Sequence, residues 1–412
     1  MGKIHQHTIV RRFSSYTVHR PSLAPNSAMA RRRRRALCAL VLGVDACVMG
    51  LPGTLQHEHG PVSLHAPLPA SQDQQAETQR TLVSFAYYEG REGARENLRY
   101  FLSAGIDASQ PGDSPITYGF VINGFDCSEP IPTNRNDIVV LKRANEGFDY
   151  GAHLALLRHI ARAGVRAYRG EMAAELWDFG SESQQLTAAQ LPFDKYVFLN
   201  AGVRGPFLPA YWPRSRSWTR VYLDKLSPSV KLVGNSIVCL PQSDPCVKGA
   251  QGITPNPDCY GPKVEGYAWA TDSVGLQVLL DTESVFQSHP DKVSAIINGE
   301  YGMNIAIFKA GYTIDSLLLA YQGMDWTNRS NWGCNGNEHP SRSGTYFGVT
   351  QHPLETVFVK VEWVHDDGTI DKILPQYVDA YTNFQKLGAA RSSAAAGATA
   401  RDTELSRVNL PS

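Results

Sequence analysis

Residues 137–153 read DIVVLKRANEGFDYGAH. Asp137–Lys142 is a short β-branched, apolar run of strand length. The stretch Gly151–Gly164 that follows brings Leu154, Leu157, His159 and Ile160 onto related helical faces. Between them lies a turn holding Asn145, Gly147 and Asp149. A strand feeding a helix through a short glycine turn is the repeating unit of an α/β fold. The same punctuation recurs on either side: Thr81–Tyr87 (TLVSFAY) precedes a helical Arg91–Gly105, and Thr117–Asn123 (TYGFVIN) is a further strand. Tyr196–Asn200 (YVFLN) is nearly all apolar, as a strand covered on both faces would be. The expected fold class is α/β, with a Rossmann-like, mostly parallel sheet and helices on both faces. Such sheets bind ligands outside the carboxyl ends of their strands. The segments to examine therefore follow Tyr87, Asn123, Lys142 and Leu199.

Composition excludes several alternatives. The 39 Lys and Arg residues are balanced by 39 Asp and Glu, which is not the footprint of a nucleic-acid binder. Hydrophobic content of 42% supports a sizeable core in the 412-residue chain. Seven cysteines without a C-x-x-C pair argue against a disulfide scaffold or a zinc ribbon. Cys239, Cys246 and Cys259 are close enough in sequence for a small-loop disulfide, and an odd count leaves a thiol over.

The ends differ from the middle. Residues 1–35 form a basic, acid-free segment that closes with Arg31–Arg35. Residues 36–51 are apolar but for Asp45, about 16 residues against the ~20 that span a bilayer, and read as a signal anchor or a cleaved signal peptide. An Arg- and Ser-rich organelle transit peptide is the rival reading. Residues 52–79, rich in Pro, His, Gln and Ser, read as a disordered stem, and residues 386–412 as an Ala/Ser-rich disordered tail. The folded unit is 80–385. This organisation places the chain in the Golgi or ER membrane, single-pass type II with a lumenal domain, or else secreted or organelle-targeted. Asn328-Arg329-Ser330 is the one N-glycosylation sequon, relevant only in a lumen.

Four clusters bear chemistry. In the first, Gly147 and Gly151 let backbone approach a ligand, while Asn145 and Asp149 offer an amide and a carboxylate to sugar hydroxyls. The plainer reading is a strand-to-helix turn with Asp149 as N-cap. The second, Asn200-Ala-Gly202-Val-Arg204-Gly-Pro206, sets an amide and a glycine at the sheet's edge, with Arg204 available to a diphosphate. Its plainer reading is a Gly-Pro loop with a surface arginine. In the third, Glu300 of Asn298–Asn304 stands before an amphipathic helix, suited to act as a base or merely to complement a helix dipole. In the fourth, His365-Asp366-Asp367-Gly368 reads as a hairpin turn rather than a metal site.

Taken in order, Glu96–Leu102, Lys142–His153 and Tyr196–Pro206 resemble the GT-A class of nucleotide-sugar glycosyltransferases. Within it they are most similar to the branch that includes the rhamnan-synthesis protein F family and its eukaryotic relatives. Glu300–Gly311 followed by Tyr312 is similar to a GT-A segment in which an acidic pair precedes a helix. The resemblance implies a nucleotide-sugar donor and a carbohydrate or glycoprotein acceptor. The donor would be held by Tyr87, Asp126, Asn145, Gly147, Asp149, Asn200, Gly202 and Arg204, with Glu300 as the base of an inverting hexosyl or deoxyhexosyl transfer. Trp269, Trp326 and Trp332 are the candidate stacking faces for the acceptor. It also implies Mn²⁺ or Mg²⁺ on an Asp-x-Asp, but that position reads Asn200-Ala201-Gly202. Either the metal is held elsewhere, by Asp149 or Asp126 with Asn200, or cations replace it, or the chain is an inactive nucleotide-sugar- or glycan-binding protein.

Overall fold

The structure, a computed structural model, describes residues 79–90, 92–106, 115–163, 171–173, 185–213, 215–250, 252–363, 378–384 and 386. The chain divides into two units, Met1–Gln72 and Asp73–Ser412. All described residues belong to the second. The basic segment 1–35, the apolar segment 36–51, nearly all of the stem, the 365–368 turn and all but one residue of the tail lie outside them.

Eight strands form one sheet: β1 (Thr81–Tyr88), β2 (Ile116–Asn123), β3 (Ile138–Arg143), β4 (Glu171–Ala173), β5 (Lys195–Asn200), β7 (Val230–Gly234), β10 (Ala268–Asp272) and β11 (Thr313–Ser316). Two further pairs stand apart: β6 (Val203–Arg204) with β12 (Val359–Lys360), and β8 (Ile237–Leu240) with β9 (Gly261–Val264). The sheet order is β11-β7-β10-β5-β1-β2-β3-β4. Only β10 runs antiparallel to its neighbours β5 and β7; every other pairing in this sheet is parallel. The expected α/β class with a mostly parallel sheet is thus met, with the parallel half in the Rossmann-like order of crossovers outward from β1.

Strand residues alternate between two cores. Leu82 and Ala86 of β1 join Val121, Leu141 and Phe198 under helix α2 (Phe148–Ala163). Val83, Phe85 and Tyr87 join Leu98 and Phe101 of helix α1 (Glu92–Ala104) on the opposite face. Each buried apolar side chain contributes about 1.5–3 kcal/mol, so one slip in register would forfeit both faces. His153 of α2 belongs to this core: its Nδ1 sits 2.7 Å from Ser84 Oγ, and burial drives its pKa down to about 3.

Helix α2 begins at Phe148, earlier than the hydrophobic spacing suggests, so Asp149 lies in its first turn rather than at the N-cap. Gly147 precedes it with φ +70°, and a Cβ there would meet Ser288 Cα at 2.7 Å. The turn's glycine thus admits the 288–289 segment, with which Gly147 forms an isolated bridge. After β10, helix α3 (Ser273–Asp281) starts on Asp272, whose Oδ1 accepts from Gly275 N at 2.9 Å. A π-helical turn, Ala295–Tyr301, then passes directly into α4 (Gly302–Lys309). Glu300 accordingly sits near the end of the π-turn, not in the first turn of an amphipathic helix. Disulfides join Cys246 to Cys259 and Cys239 to Cys334, leaving Cys127 free among the described residues.

Candidate active site at the carboxyl edge

The turns after β3 and β5 meet. Asn200 Nδ2 donates to Asp149 Oδ2 at 2.8 Å, while Asn200 Oδ1 accepts from Gly202 N at 2.9 Å. A Cβ on Gly202 would stand 3.1 Å from Asn200 Oδ1, so a larger residue would press on that oxygen. The turn after β2 adjoins them: a Cβ on Gly124 would reach 3.9 Å from Asn145 Cβ and 3.4 Å from the Tyr88 ring. Asn145 and Asp126 are both exposed on these turns. Tyr87 is fully buried at the end of β1, with its hydroxyl 3.3 Å from Glu89 Oε2.

The reversed strand brings a second set of groups to the same edge. Because β10 runs against β5, the residues that enter it, Glu265-Gly266-Tyr267, lie beside the exit of β5, where Asn200 N donates to Tyr267 O at 3.1 Å. Gly266 is pressed between two groups: a Cβ there would meet Tyr150 Oη at 2.8 Å and Glu300 Oε2 at 2.9 Å. The Gly266 N–H also donates to the Glu300 carboxylate. Glu265 is buried and fully engaged, accepting from Ser341 Oγ at 2.7 Å, from His339 Nδ1 at 2.9 Å and from Ser236 Oγ. Ser236 follows the carboxyl end of β7, so β7 also contributes to this edge.

One cation stands among these carboxylates. Strand β12 pairs antiparallel with β6, setting Lys360 opposite Val203, and Val361 N donates to Gly202 O at 3.1 Å. The strap is held close because Gly205 has no side chain; a Cβ there would strike Val357 O at 2.5 Å. The Lys360 ammonium lies 3.8 Å from the Trp363 ring centre and 5.8 Å from that of Tyr267, and has no ion-pair partner at contact distance among the described residues. Burial pushes its pKa down, opposed by the charges of Glu300, Glu265 and Asp149, with Lys292 adding to the depression. Burial pushes Glu300 up, Lys360 pulls it back, and Glu265 pushes it further. Asp149 is likewise raised by burial against the Asn200 bond and Lys360. Glu265 differs: burial would raise it, but His339, Ser236 and Ser341 together hold it below the usual range. The edge therefore carries one firmly ionised carboxylate and two poised toward protonation, a separation of roles typical of acid–base sites.

Several expected residues are placed otherwise. Arg204 is buried and turned toward α1: Nε donates to Asn97 Oδ1 at 2.9 Å, and the guanidinium pairs with Asp379 and, at 3.7 Å, with Glu96. Its donors are committed to holding the strap region and α1 together. Trp269 is wholly buried, stacked on Phe198 at 4.2 Å, and Trp326 is buried edge-on to Tyr321 at 5.2 Å, so neither presents a face to an acceptor. Trp332 donates Nε1 to Trp326 O at 2.9 Å. Asn328 is exposed, its Oδ1 accepting from Ser330 N and Oγ. Glu265, Ser236, His339 and Lys360 were not singled out from sequence; the Glu-Gly step that opens β10 was the available signal.

The described residues at this edge do not gather the oxygen ligands that a hard cation takes. No group of three or more His, Cys, Asp and Glu among the described residues is arranged to hold a metal. Asn200 turns its N–H group, not an oxygen, toward Asp149, and the Lys360 ammonium already offsets charge on Asp149 and Glu300.

No protein-family model matches the sequence, and no curated protein matches it. In structure, 41 solved chains match. One is "Mannosyltransferase PcManGT from Pyrobaculum calidifontis in complex with GDP-Man and Mn2+", with TM-score 0.31 and 13% identity over 79% of this chain and 81% of that chain. A likeness of that size assigns neither substrate nor chemistry here, and the rhamnan-synthesis protein F branch stays a resemblance of motifs.

Proposed function

We propose that the chain is a glycosyltransferase that moves a sugar from a nucleotide-sugar donor to a hydroxyl of a carbohydrate or glycoprotein. The observation that carries this reading is the 2.8 Å bond between Asn200 and Asp149. It joins the two turns that resemble a donor cleft, at the carboxyl edge where α/β sheets bind ligands, with Lys360 electrostatically linked both to Asp149 and to Glu300. Asn145, Asp149 and Asn200 would hold the donor. Glu300, poised upward in pKa, would take the proton of the acceptor hydroxyl as its oxygen attacks the anomeric carbon. The bond from that carbon to the diphosphate oxygen breaks, and Lys360 offsets the charge that collects on the leaving diphosphate. Attack in line with the departing group inverts the anomeric configuration. No step is routed through a metal.

Two disulfides support an oxidising compartment and thus a lumenal or secreted domain. No helix among the described residues is long and apolar enough to cross a membrane, and residues 36–51, the proposed anchor, lie outside them. The test is a thermal-shift panel of UDP-, GDP- and dTDP-sugars, with and without Mn²⁺, followed by assay of nucleoside diphosphate release. A shift with one donor family plus acceptor-dependent release supports the reading. A shift with no release or hydrolysis for any sugar would leave a nucleotide-sugar-binding protein, a reading that the absent Asp-x-Asp favours.

A further inference from the structure

A cavity lies apart from the cluster just described, sharing none of its residues. It has a volume of about 600 Å³ and is walled by the 246–259 disulfide loop, β9, α4 and the segment carrying Trp332. Its lining holds four cations, Lys248, Lys263, Lys309 and Arg329, against a single carboxylate, Asp258. Lys309 is paired with Asp258 at 2.7 Å, which leaves three cations without a counter-ion at contact distance among the described residues. Lys263 is the informative one. It is 1% exposed, yet its ammonium reaches only the carbonyls of Pro262 at 3.3 Å and Tyr260 at 3.4 Å. A buried ammonium without a carboxylate is costly: the group gives up its proton or is completed by a bound anion. The remaining wall is apolar and aromatic, with Tyr260, Phe308 and Trp332.

We infer that this cavity is a binding site for an anionic sugar, a hexose ring bearing a sulfate, phosphate or carboxylate, with Lys263 taking the anionic group. The volume falls within the range of small-ligand sites. The aromatic wall suits a sugar ring better than a bare ion, and the lysines and arginine exclude neutral sugars by leaving Lys263 uncompensated. Burial lowers the Lys263 pKa to about 7, against the pull of Asp244 and Asp258. Lys248, Lys309 and Arg329 are the other charged groups facing it.

The test is calorimetric titration of the full chain with glucose 6-sulfate, whose charge does not change with pH, alongside glucose and inorganic sulfate. Saturable binding is expected, tightening about tenfold as the pH falls from about 8.5 to about 6, where Lys263 becomes charged. Glucose and inorganic sulfate should each bind at least about tenfold more weakly. Lys263→Met should cost about tenfold and abolish the pH dependence. If that variant does not fold, Lys248→Met with Arg329→Met, both exposed, should still weaken binding severalfold. Equal affinity for inorganic sulfate, equal affinity for glucose, or binding indifferent to these substitutions would overturn the inference. None of those outcomes bears on Glu300 or on donor transfer.

Discussion

Replacing Glu300 by Gln changes one oxygen to a nitrogen and little else. The Gly266 N–H keeps an acceptor, and the contacts with Tyr150 and Gly266 keep their shape. What is lost is a charge that burial and Glu265 disfavour and Lys360 favours. Because the pKa of Glu300 is raised in the folded state, its contribution to stability is fullest below the unfolded value near ~4.3 and is lost as the pH rises through the raised value. The variant should therefore be as stable as the parent at low pH and more stable at neutral pH and above. Loss of a general base lowers turnover by roughly 10²–10⁴-fold, about 3–5 kcal/mol of barrier, with donor affinity unchanged. Diphosphate release at saturating donor and acceptor measures the first, and thermal shift with donor measures the second. The base must be ionised, so the parent's rate should rise with pH through the raised Glu300 value. Lys360→Met removes the cation that pulls that value down and should move this acidic limb to higher pH while slowing the reaction. Unchanged turnover in Glu300→Gln, or an acidic limb that ignores Lys360, would refute the assignment. A drop in melting temperature with weaker donor binding would instead make Glu300 a structural group.

Asn200→Asp should set a second carboxylate against Asp149 at hydrogen-bond distance, so that both cannot ionise; its melting temperature should fall below the parent's at pH 8 and recover toward pH 5. Arg204→Ala strips the partner of Asn97 and Asp379 and should destabilise by about 2–4 kcal/mol in chemical denaturation while leaving donor affinity unmoved; weaker donor binding without destabilisation would restore it to the cleft. The two disulfides close loops of very different length, with sequence separations of 95 and 13. Replacing Cys239 and Cys334 by Ser should therefore cost about 4–5 kcal/mol and replacing Cys246 and Cys259 about 3, read from denaturant midpoints.

The first half of the sheet was legible because its strands are buried on both faces and its helices are amphipathic. β1, β2, β3, β5, α1 and the C-terminal end of α2 fall within one or two residues of the boundaries that hydrophobic spacing suggests. The same rule of strand ends led to Asn145, Asp149 and Asn200. It failed for Glu265 because it looks only at strand exits, and β10 is the one strand that enters at that edge. Lys360 was hidden in the run 357–364, whose sequence reads as an ordinary strand, whereas among its described residues the strand is Val359–Lys360 alone. Arg204 shows the opposite limit. Its position beside the cleft was readable, but the direction of its side chain is set by Asn97 and by residues far along the chain. The tryptophans could not be sorted by count alone, since Trp269 and Trp326 are consumed by packing against Phe198 and Tyr321.

The strap that carries Lys360 has a consequence for synthesis. Asp149, Glu265 and Glu300 all leave the ribosome before it does, and until residues 359–360 settle beside β6 the edge holds three acids with no amine among them. Burying ionised Asp149 and Glu300 without that amine is unfavourable, so closing the cleft against water is favoured only once the strap is in place. A chain ending near residue 350 would keep every strand of the main sheet and still lack the neutralising group at its working edge.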